Sequence, residues 1–128
     1  MAQTRGNGAM NHIHHHATAT PDRIALEMAE SGMTRTFRQL DDASNRGAQA
    51  LRALGVGQGD HITALLENRS EFLEIYFACQ RAGIYFTAIS RYLGAEEAAY
   101  IVADCGAQVF IASDITIDTA RQIDGPDL

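Results

Sequence analysis

The sequence contains no lysine and no tryptophan, and all ten of its basic residues are arginine. A P-loop nucleotide site places a lysine on the phosphates, and its motif ends in Gly-Lys-Ser/Thr. Schiff-base catalysis needs a lysine amine as the nucleophile. The chain by itself therefore excludes an intact P-loop and any mechanism that proceeds through a lysine imine.

Long apolar runs and excess positive charge are also missing. The formal net charge of the 128 residues is -6, whereas a nucleic-acid surface requires a basic patch. No apolar run is long enough to span a bilayer, and no segment has the pattern of a secretion signal. We expect a cytoplasmic protein with no nucleic-acid partner and no membrane span. The length suffices for one domain with its own core.

Cysteine is scarce, and its spacing gives no disulfide or metal motif. The two cysteines are Cys79 and Cys105, with no CxxC pair. Both fall at apolar positions of predicted helices, where a free cysteine packs as a small hydrophobic residue. We predict buried, reduced thiols.

The first residues combine a polar leader with four histidines. Residues 1–11 are predicted to be a disordered leader, and His12, His14, His15 and His16 follow. Clustered imidazoles can bind a transition metal. No carboxylate or thiol stands at a regular ligand spacing, however, and chain ends are usually solvated. The favoured interpretation is a solvated segment at the start of a helix, so no metal ligand is predicted.

A capping box opens the first long helix. Thr36 and Gln39 have the spacing at which each side chain bonds the other's backbone N–H. Apolar and small residues then recur every three or four positions to about Leu54, and Asp41 lies off this stripe. Within the stripe, Gly47 suits close packing against a neighbouring element. Short strands over residues 24–28 and 34–36 are predicted to form a hairpin before this helix.

The glycines that follow resemble a dinucleotide-binding loop only superficially. Gly55, Gly57 and Gly59 are spaced one residue too tightly for that fingerprint. They also join a helix to a strand, where the fingerprint joins a strand to a helix. We predict a tight turn stabilised by Asp60.

Buried strands then alternate with helices. Residues 61–66, 85–89 and 109–112 are continuous apolar strands, which are typical of parallel sheets covered on both faces. Helices are predicted between them, the first capped by Asn68 or Ser70 and the second opening at residues 94–97. The β-α-β-α-β order predicts an α/β fold, a partial three-layer α/β/α arrangement with a mostly parallel sheet.

Several short motifs occur in the order and at the spacing of one enzyme family. They are TPDRIA (20–25), RTFRQL (35–40), ALGVGQGD (53–60), LENRSEF (66–72), RAG (81–83), GAEE (94–97) and DCGAQVFIA (104–112). Together they resemble the N-terminal segment of the AMP-forming adenylating enzymes, the superfamily of acyl-CoA synthetases, adenylation domains and luciferase. The departures are Ala88, where the family usually has proline, and Gly94, where it has a capping threonine. Neither threatens the fold, because glycine is nearly as good a cap.

The resemblance implies a role for the whole family and none of its chemistry for this chain. Full-length relatives use a carboxylic acid, such as a fatty or aromatic acid, with ATP, Mg²⁺ and CoA, and they release AMP and pyrophosphate. The family's phosphate loop and catalytic lysine match no position here. No catalytic, cofactor-binding or metal-binding residue is therefore assigned, and no cofactor is expected for this chain alone. We expect an inactive N-terminal fragment whose implied partner is the missing C-terminal portion. Residues 12–113 would form an incomplete subdomain and residues 114–128 a truncated tail.

Two other interpretations remain open. One is a free-standing, non-catalytic α/β binding or interaction module. The other is an unrelated flavodoxin-like domain that binds a small anion at a helix N-terminus. The loops available for such an anion are residues 67–70 and residues 90–94.

Overall fold

The structure, a computed structural model, describes residues 12–123. Its elements alternate in the predicted order. They are α1 (Ile13–Ala19), β1 (Ile24–Glu27), β2 (Thr34–Thr36), α2 (Phe37–Ala53), β3 (His61–Leu65), α3 (Ser70–Ala82), β4 (Tyr85–Ile89), α4 (Ala95–Cys105), β5 (Val109–Ala112) and α5 (Ile117–Arg121). The predicted leader over residues 1–11 lies outside the described part of the chain. No helix between residues 12 and 123 is both long and apolar enough to cross a membrane.

Two sheets are present in the described residues. β1 and β2 pair antiparallel as the predicted hairpin. The other three strands form a parallel sheet in the order β4-β3-β5, so β3 is central and the chain crosses over it between β4 and β5. In the register, Ile62 of β3 lies opposite Phe86 of β4 and Val109 of β5.

Helices cover both faces of the parallel sheet. Ile62 belongs to a core cluster with Leu51 of α2 and Cys79 of α3. Leu65 belongs to a second cluster with Val102 of α4 and with Ile123, which follows α5. Side chains of residues 62 and 65 leave a strand on opposite faces. The predicted three-layer α/β/α architecture is therefore confirmed.

The turn between α2 and β3 has the predicted form. Gly55 and Gly59 adopt φ angles of 84° and 87°, which are accessible to glycine at little cost. The backbone N–H of Gly57 donates to Asp60 Oδ2 at 2.8 Å, so the aspartate holds the turn closed.

Helices α2 and α3 pack closely because a glycine lies between them. A Cβ built on Gly47 would stand 3.0 Å from the Cβ of Ala78, tighter than ordinary van der Waals contact. The capping box at the start of α2 is also confirmed, with Gln39 N donating to Thr36 Oγ1 at 3.2 Å and Thr36 N donating to Gln39 Oε1 at 2.9 Å.

Two predictions in this region were wrong. Asp41 is buried, although the helical stripe placed it on the outer face. It turns inward because Arg81 of α3 supplies an opposite charge. The N-cap of α3 is Arg69, with no side-chain cap hydrogen bond, and is neither Asn68 nor Ser70. Ser70 is the first helical residue, and its hydroxyl bonds Glu71 instead.

Candidate functional site

The carboxyl ends of the parallel strands are the place where this architecture usually binds ligands. After β3 the chain enters α3, on one face of the sheet, and after the neighbouring β5 it reaches α5 and the opposite face. Adjacent strands whose connections diverge in this way leave a crevice between their carboxyl ends. The segments at this edge follow β3 (residues 66–69), β4 (residues 90–94) and β5 (residues 113–116).

The crevice between β3 and β5 is occupied by polar side chains of the chain itself. The hydroxyl of Ser113 donates to Oε2 of Glu67, and Thr116 Oγ1 donates to the carbonyl oxygen of Leu65 at 2.6 Å. The backbone N–H of Ser113 donates to Thr116 Oγ1 at 2.9 Å. These bonds join the chain after β5 to the end of β3. We call Glu67, Arg69, Ser113 and Thr116 the carboxyl-edge network.

The charged side chains of this network form ion pairs with one another and with neighbouring carboxylates. Arg69 Nη1 lies 3.0 Å from Glu67 Oε1 and 3.5 Å from Asp114 Oδ1, while its Nε lies 2.9 Å from Glu71 Oε2. The hydrogen bond from Ser113 lowers the pKa of Glu67. The hydrogen bond from Arg69 lowers the pKa of Glu71. Both carboxylates therefore stay ionised at neutral pH.

This edge does not fit a nucleotide phosphate or a magnesium ion. Three carboxylates surround the single guanidinium of Arg69, so a phosphate would meet net negative charge. The oxygen atoms that would bind Mg²⁺ are already engaged by Arg69 and Ser113. Among residues 12–123, no group of three or more histidine, cysteine, aspartate or glutamate side chains is placed to hold a metal.

The second predicted anion loop, after β4, faces outward. Arg91 Nη2 donates to the hydroxyl of Tyr92 at 3.0 Å, and its guanidinium lies 4.9 Å from the centre of the same ring. Tyr92 is 83% exposed. The arginine is thus held on the surface beside an aromatic ring, and the flavodoxin-like interpretation gains no anion pocket from this loop.

A wide cleft of about 980 Å³ separates the β1–β2 hairpin from the carboxyl edge. Its wall mixes charged groups of both signs with apolar side chains. The larger apolar members are Leu26, Met28, Met33, Phe72, Leu73 and Ile115. An open cleft of this composition resembles a surface that packs against other protein more than an enclosed ligand pocket.

The four histidines run from the N-cap of α1 to its last turn, and His12 and His16 are half-buried, so the predicted solvated segment at a helix start is only partly correct. His12 caps the helix, and His14 Nδ1 lies 3.4 Å from Asp41 Oδ2. The ring of His16 stacks on Phe37 with centroids 5.1 Å apart, whereas His15 is exposed. The rings of His15 and His16 meet edge to face with centroids 5.6 Å apart, but no group of three or more potential metal ligands is found among the described residues.

The two thiols are free and separate. Cys79 is 1% exposed, and burial raises its pKa to about 11. Cys105 is only partly buried, with Sγ 3.6 Å from Thr87 Oγ1. The prediction of a buried, unpaired thiol holds fully for Cys79 and partly for Cys105.

Sequence reasoning missed the long-range polar contacts. Ser113 and Thr116 join residues 46 and 51 positions earlier in the chain. Arg81 bonds Asp41 and, at 3.3 Å, the hydroxyl of Ser44. The available signal was the Ser-x-x-Thr pattern directly after β5, whose hydroxyls bond nearby backbone groups in turns of this kind.

Comparison with known proteins identifies the class to which this fold belongs. The sequence model of the AMP-binding enzyme family matches residues 13–127. Solved structures of CoA ligases and CoA synthetases share this parallel α/β/α arrangement. The chain belongs to the AMP-binding enzyme family, as its motifs predict.

Individual relatives are consistent with this assignment. The chain is 32% identical over 114 residues to the long-chain-fatty-acid–CoA ligase FadD13 of Mycobacterium tuberculosis, covering 86% of this chain and 23% of the ligase. It is 35% identical over 95 residues to the mouse long-chain fatty acid transport protein 1, covering 74% and 15%. The structure of the anthranilate CoA ligase AuaEII with anthranoyl-AMP has a TM-score of 0.82 and 25% identity, covering 90% of this chain and 22% of that chain. The chain spans less than a quarter of the length of each.

Proposed function

We propose that this chain provides the N-terminal structural segment of an AMP-forming acyl-CoA ligase. The whole enzyme would join a carboxylic acid to ATP, releasing pyrophosphate, and CoA would then displace AMP from the acyl-adenylate. The observation that supports this proposal is the family match over residues 13–127, combined with coverage of 23% of a named long-chain-fatty-acid–CoA ligase.

The proposed contribution of the segment is architectural. Its strand β3 is central, with Ile62 and Ala64 at 0% exposure, and the carboxyl-edge network fixes where the chain leaves β3 and β5. A rigid sheet of this kind positions the loops of a larger catalytic domain. The acidic carboxyl edge and the absence of lysine support a further proposal, that the chain does not form an adenylate by itself.

The proposed substrate class is a fatty or aromatic carboxylic acid. Similar proteins carry names that refer to long-chain fatty acids, 4-coumarate and anthranilate. All of these molecules are carboxylic acids with a large apolar part.

A chimera tests the proposal. The 114-residue stretch of M. tuberculosis FadD13 that aligns with this chain would be replaced by the corresponding residues of this chain. Acid-dependent exchange of pyrophosphate into ATP and formation of the CoA thioester would be measured. The matched control carries Ile62→Asp, which places a charge at a fully buried position of β3.

We expect exchange from the chimera, loss of exchange from its Ile62→Asp control, and no exchange from the 128-residue chain alone. A folded chimera that fails to activate any acid would contradict the structural role. Acid-dependent exchange by the chain alone would contradict its proposed inactivity.

The alternative of a free-standing module is supported by one observation. Helices cover both faces of the parallel sheet, and the carboxyl-edge network is satisfied within the chain. Against it, large apolar side chains including Tyr85 and Tyr100 are more than half exposed. A cooperative thermal transition without binding of an apolar dye would favour the module, whereas strong dye binding by the native chain would favour a segment that needs cover.

A further inference from the structure

The histidines of α1, which play no part in the proposed function, include an unusual helix cap. His12 is the N-cap residue of α1, and its ring Nδ1 accepts a hydrogen bond from the backbone N–H of His14 at 3.1 Å. A backbone N–H can only donate, so Nδ1 must carry a free lone pair. This cap therefore exists only while the imidazole of His12 is neutral.

The surroundings of His12 oppose its protonation. Burial lowers its pKa, and the guanidinium of Arg81 and the ring of His14 lower it further, while the carboxylate of Asp41 acts in the opposite direction. The first turn of a helix also carries partial positive charge from its free N–H groups. Asp41 is partly neutralised as a counter-charge because Arg81 already binds it.

We propose that residues 12–16 form a pH-sensitive clasp, in which neutral His12 caps α1 against α2 and protonated His12 releases the first turn of α1. The structure shows the capped state. In the capped state Ile13, the neighbour of His12, is 2% exposed. In the released state the Nδ1–H of His12 faces the His14 N–H donor, so the cap bond is lost.

The direction of the pH dependence follows from the lowered pKa of His12. The folded state disfavours the charged form of His12, so the cap contributes full stability above the ordinary histidine pKa of 6.5. That contribution is lost as the pH falls below this value. His14 Nδ1 lies 3.4 Å from Asp41 Oδ2, but the His14 side chain is 64% exposed, and exposed pairs contribute little to stability.

Amide hydrogen exchange in the full 128-residue chain tests the clasp directly. The reporters are the backbone N–H of His14, bonded to the His12 ring, and that of His15, bonded to the His12 carbonyl at 3.0 Å. Between about pH 7.5 and about pH 5 we expect their protection factors, corrected for intrinsic exchange, to fall about fivefold. The Gln39 amide is an internal control, because its cap, Thr36, does not titrate.

Two variants separate the cap from the other imidazoles. His12→Asn keeps a good cap without a titrating group, and we expect it to remove the pH dependence of the reporters. His15→Gln removes an exposed imidazole of the same helix and should leave that dependence unchanged. If wild-type protection does not change with pH, or if His12→Asn retains the full change, the clasp is wrong. Should a variant fail to fold, the wild-type comparison of His14 with Gln39 decides the question alone.

Discussion

Loss of Arg81 should destabilise the packing of α2 against α3 more than loss of its partner Asp41. Their side chains are 22% and 10% exposed, and the two groups are in direct contact. Breaking a fully buried ion pair costs about 3–5 kcal/mol, and an exposed pair contributes about 0–1 kcal/mol. The exposure of this pair lies between those of a fully buried and an exposed pair. Arg81→Met should therefore lower the free energy of unfolding by about 2–3 kcal/mol.

Substitution of the partner, Asp41, should lower the free energy of unfolding less than substitution of Arg81. In Asp41→Asn the guanidinium of Arg81 keeps an amide oxygen as a partner, and the hydroxyl of Ser44 lies 3.3 Å away. Because the Arg81 side chain is partly exposed, water can also bond its guanidinium. We therefore expect a loss of about 1–2 kcal/mol. The double variant should lose less than the sum, since it leaves no uncompensated charge.

Urea denaturation followed by circular dichroism measures these differences at neutral pH. The matched control is Arg46→Met, which removes an exposed arginine from α2 and should change stability by less than about 0.5 kcal/mol. If Arg81→Met matches this control, or if Asp41→Asn is the more damaging of the two, the reasoning from burial fails.

Three further predictions concern the cap, the helix contact and the buried thiol. Thr36→Ala should lower stability by about 1 kcal/mol, and Thr36→Ser should restore it; equal stability of the two in urea would contradict the cap assignment. Gly47→Leu should cost at least about 2 kcal/mol by separating α2 from α3, whereas Gly57→Ala, which meets open space, should cost less than about 0.5 kcal/mol. Cys79, with its pKa raised from 9.0 to about 11, should resist alkylation in the native state while Cys105 reacts. Stability should also fall between pH 9 and pH 11 as the unfolded thiol ionises first, and Cys79→Ala should reduce that fall.

Local chemistry explains which parts of the fold the sequence predicted. The capping box of Thr36 and Gln39 and the closure of the glycine turn by Asp60 involve residues three positions apart. Their geometry is set by the backbone itself, so spacing alone predicts them. The continuous apolar strands predicted a sheet covered on both faces for a similar reason, since no solvent-facing alternation was present.

Contacts between distant residues explain the rest. Asp41 and Arg81 are 40 positions apart, and Glu67 and Ser113 are 46 apart. A helical stripe places an aspartate outside unless an opposite charge faces it, and a single sequence does not reveal that partner. The prediction of the α3 N-cap was wrong for a similar reason. Arg69 is held by ion pairs with Glu67, Glu71 and Asp114, and these pairs, rather than a side-chain cap, fix its position before the helix.

The order in which the two core clusters appear along the chain has a consequence for synthesis. All fully buried members of the first cluster lie between Leu51 and Ile84, whereas the second is completed only by Ile123. A chain emerging from the ribosome can therefore bury one face of β3 well before it makes the cover for the other. During that interval Leu65 and Ile89 remain uncovered, and this is when the nascent protein should bind chaperones most strongly.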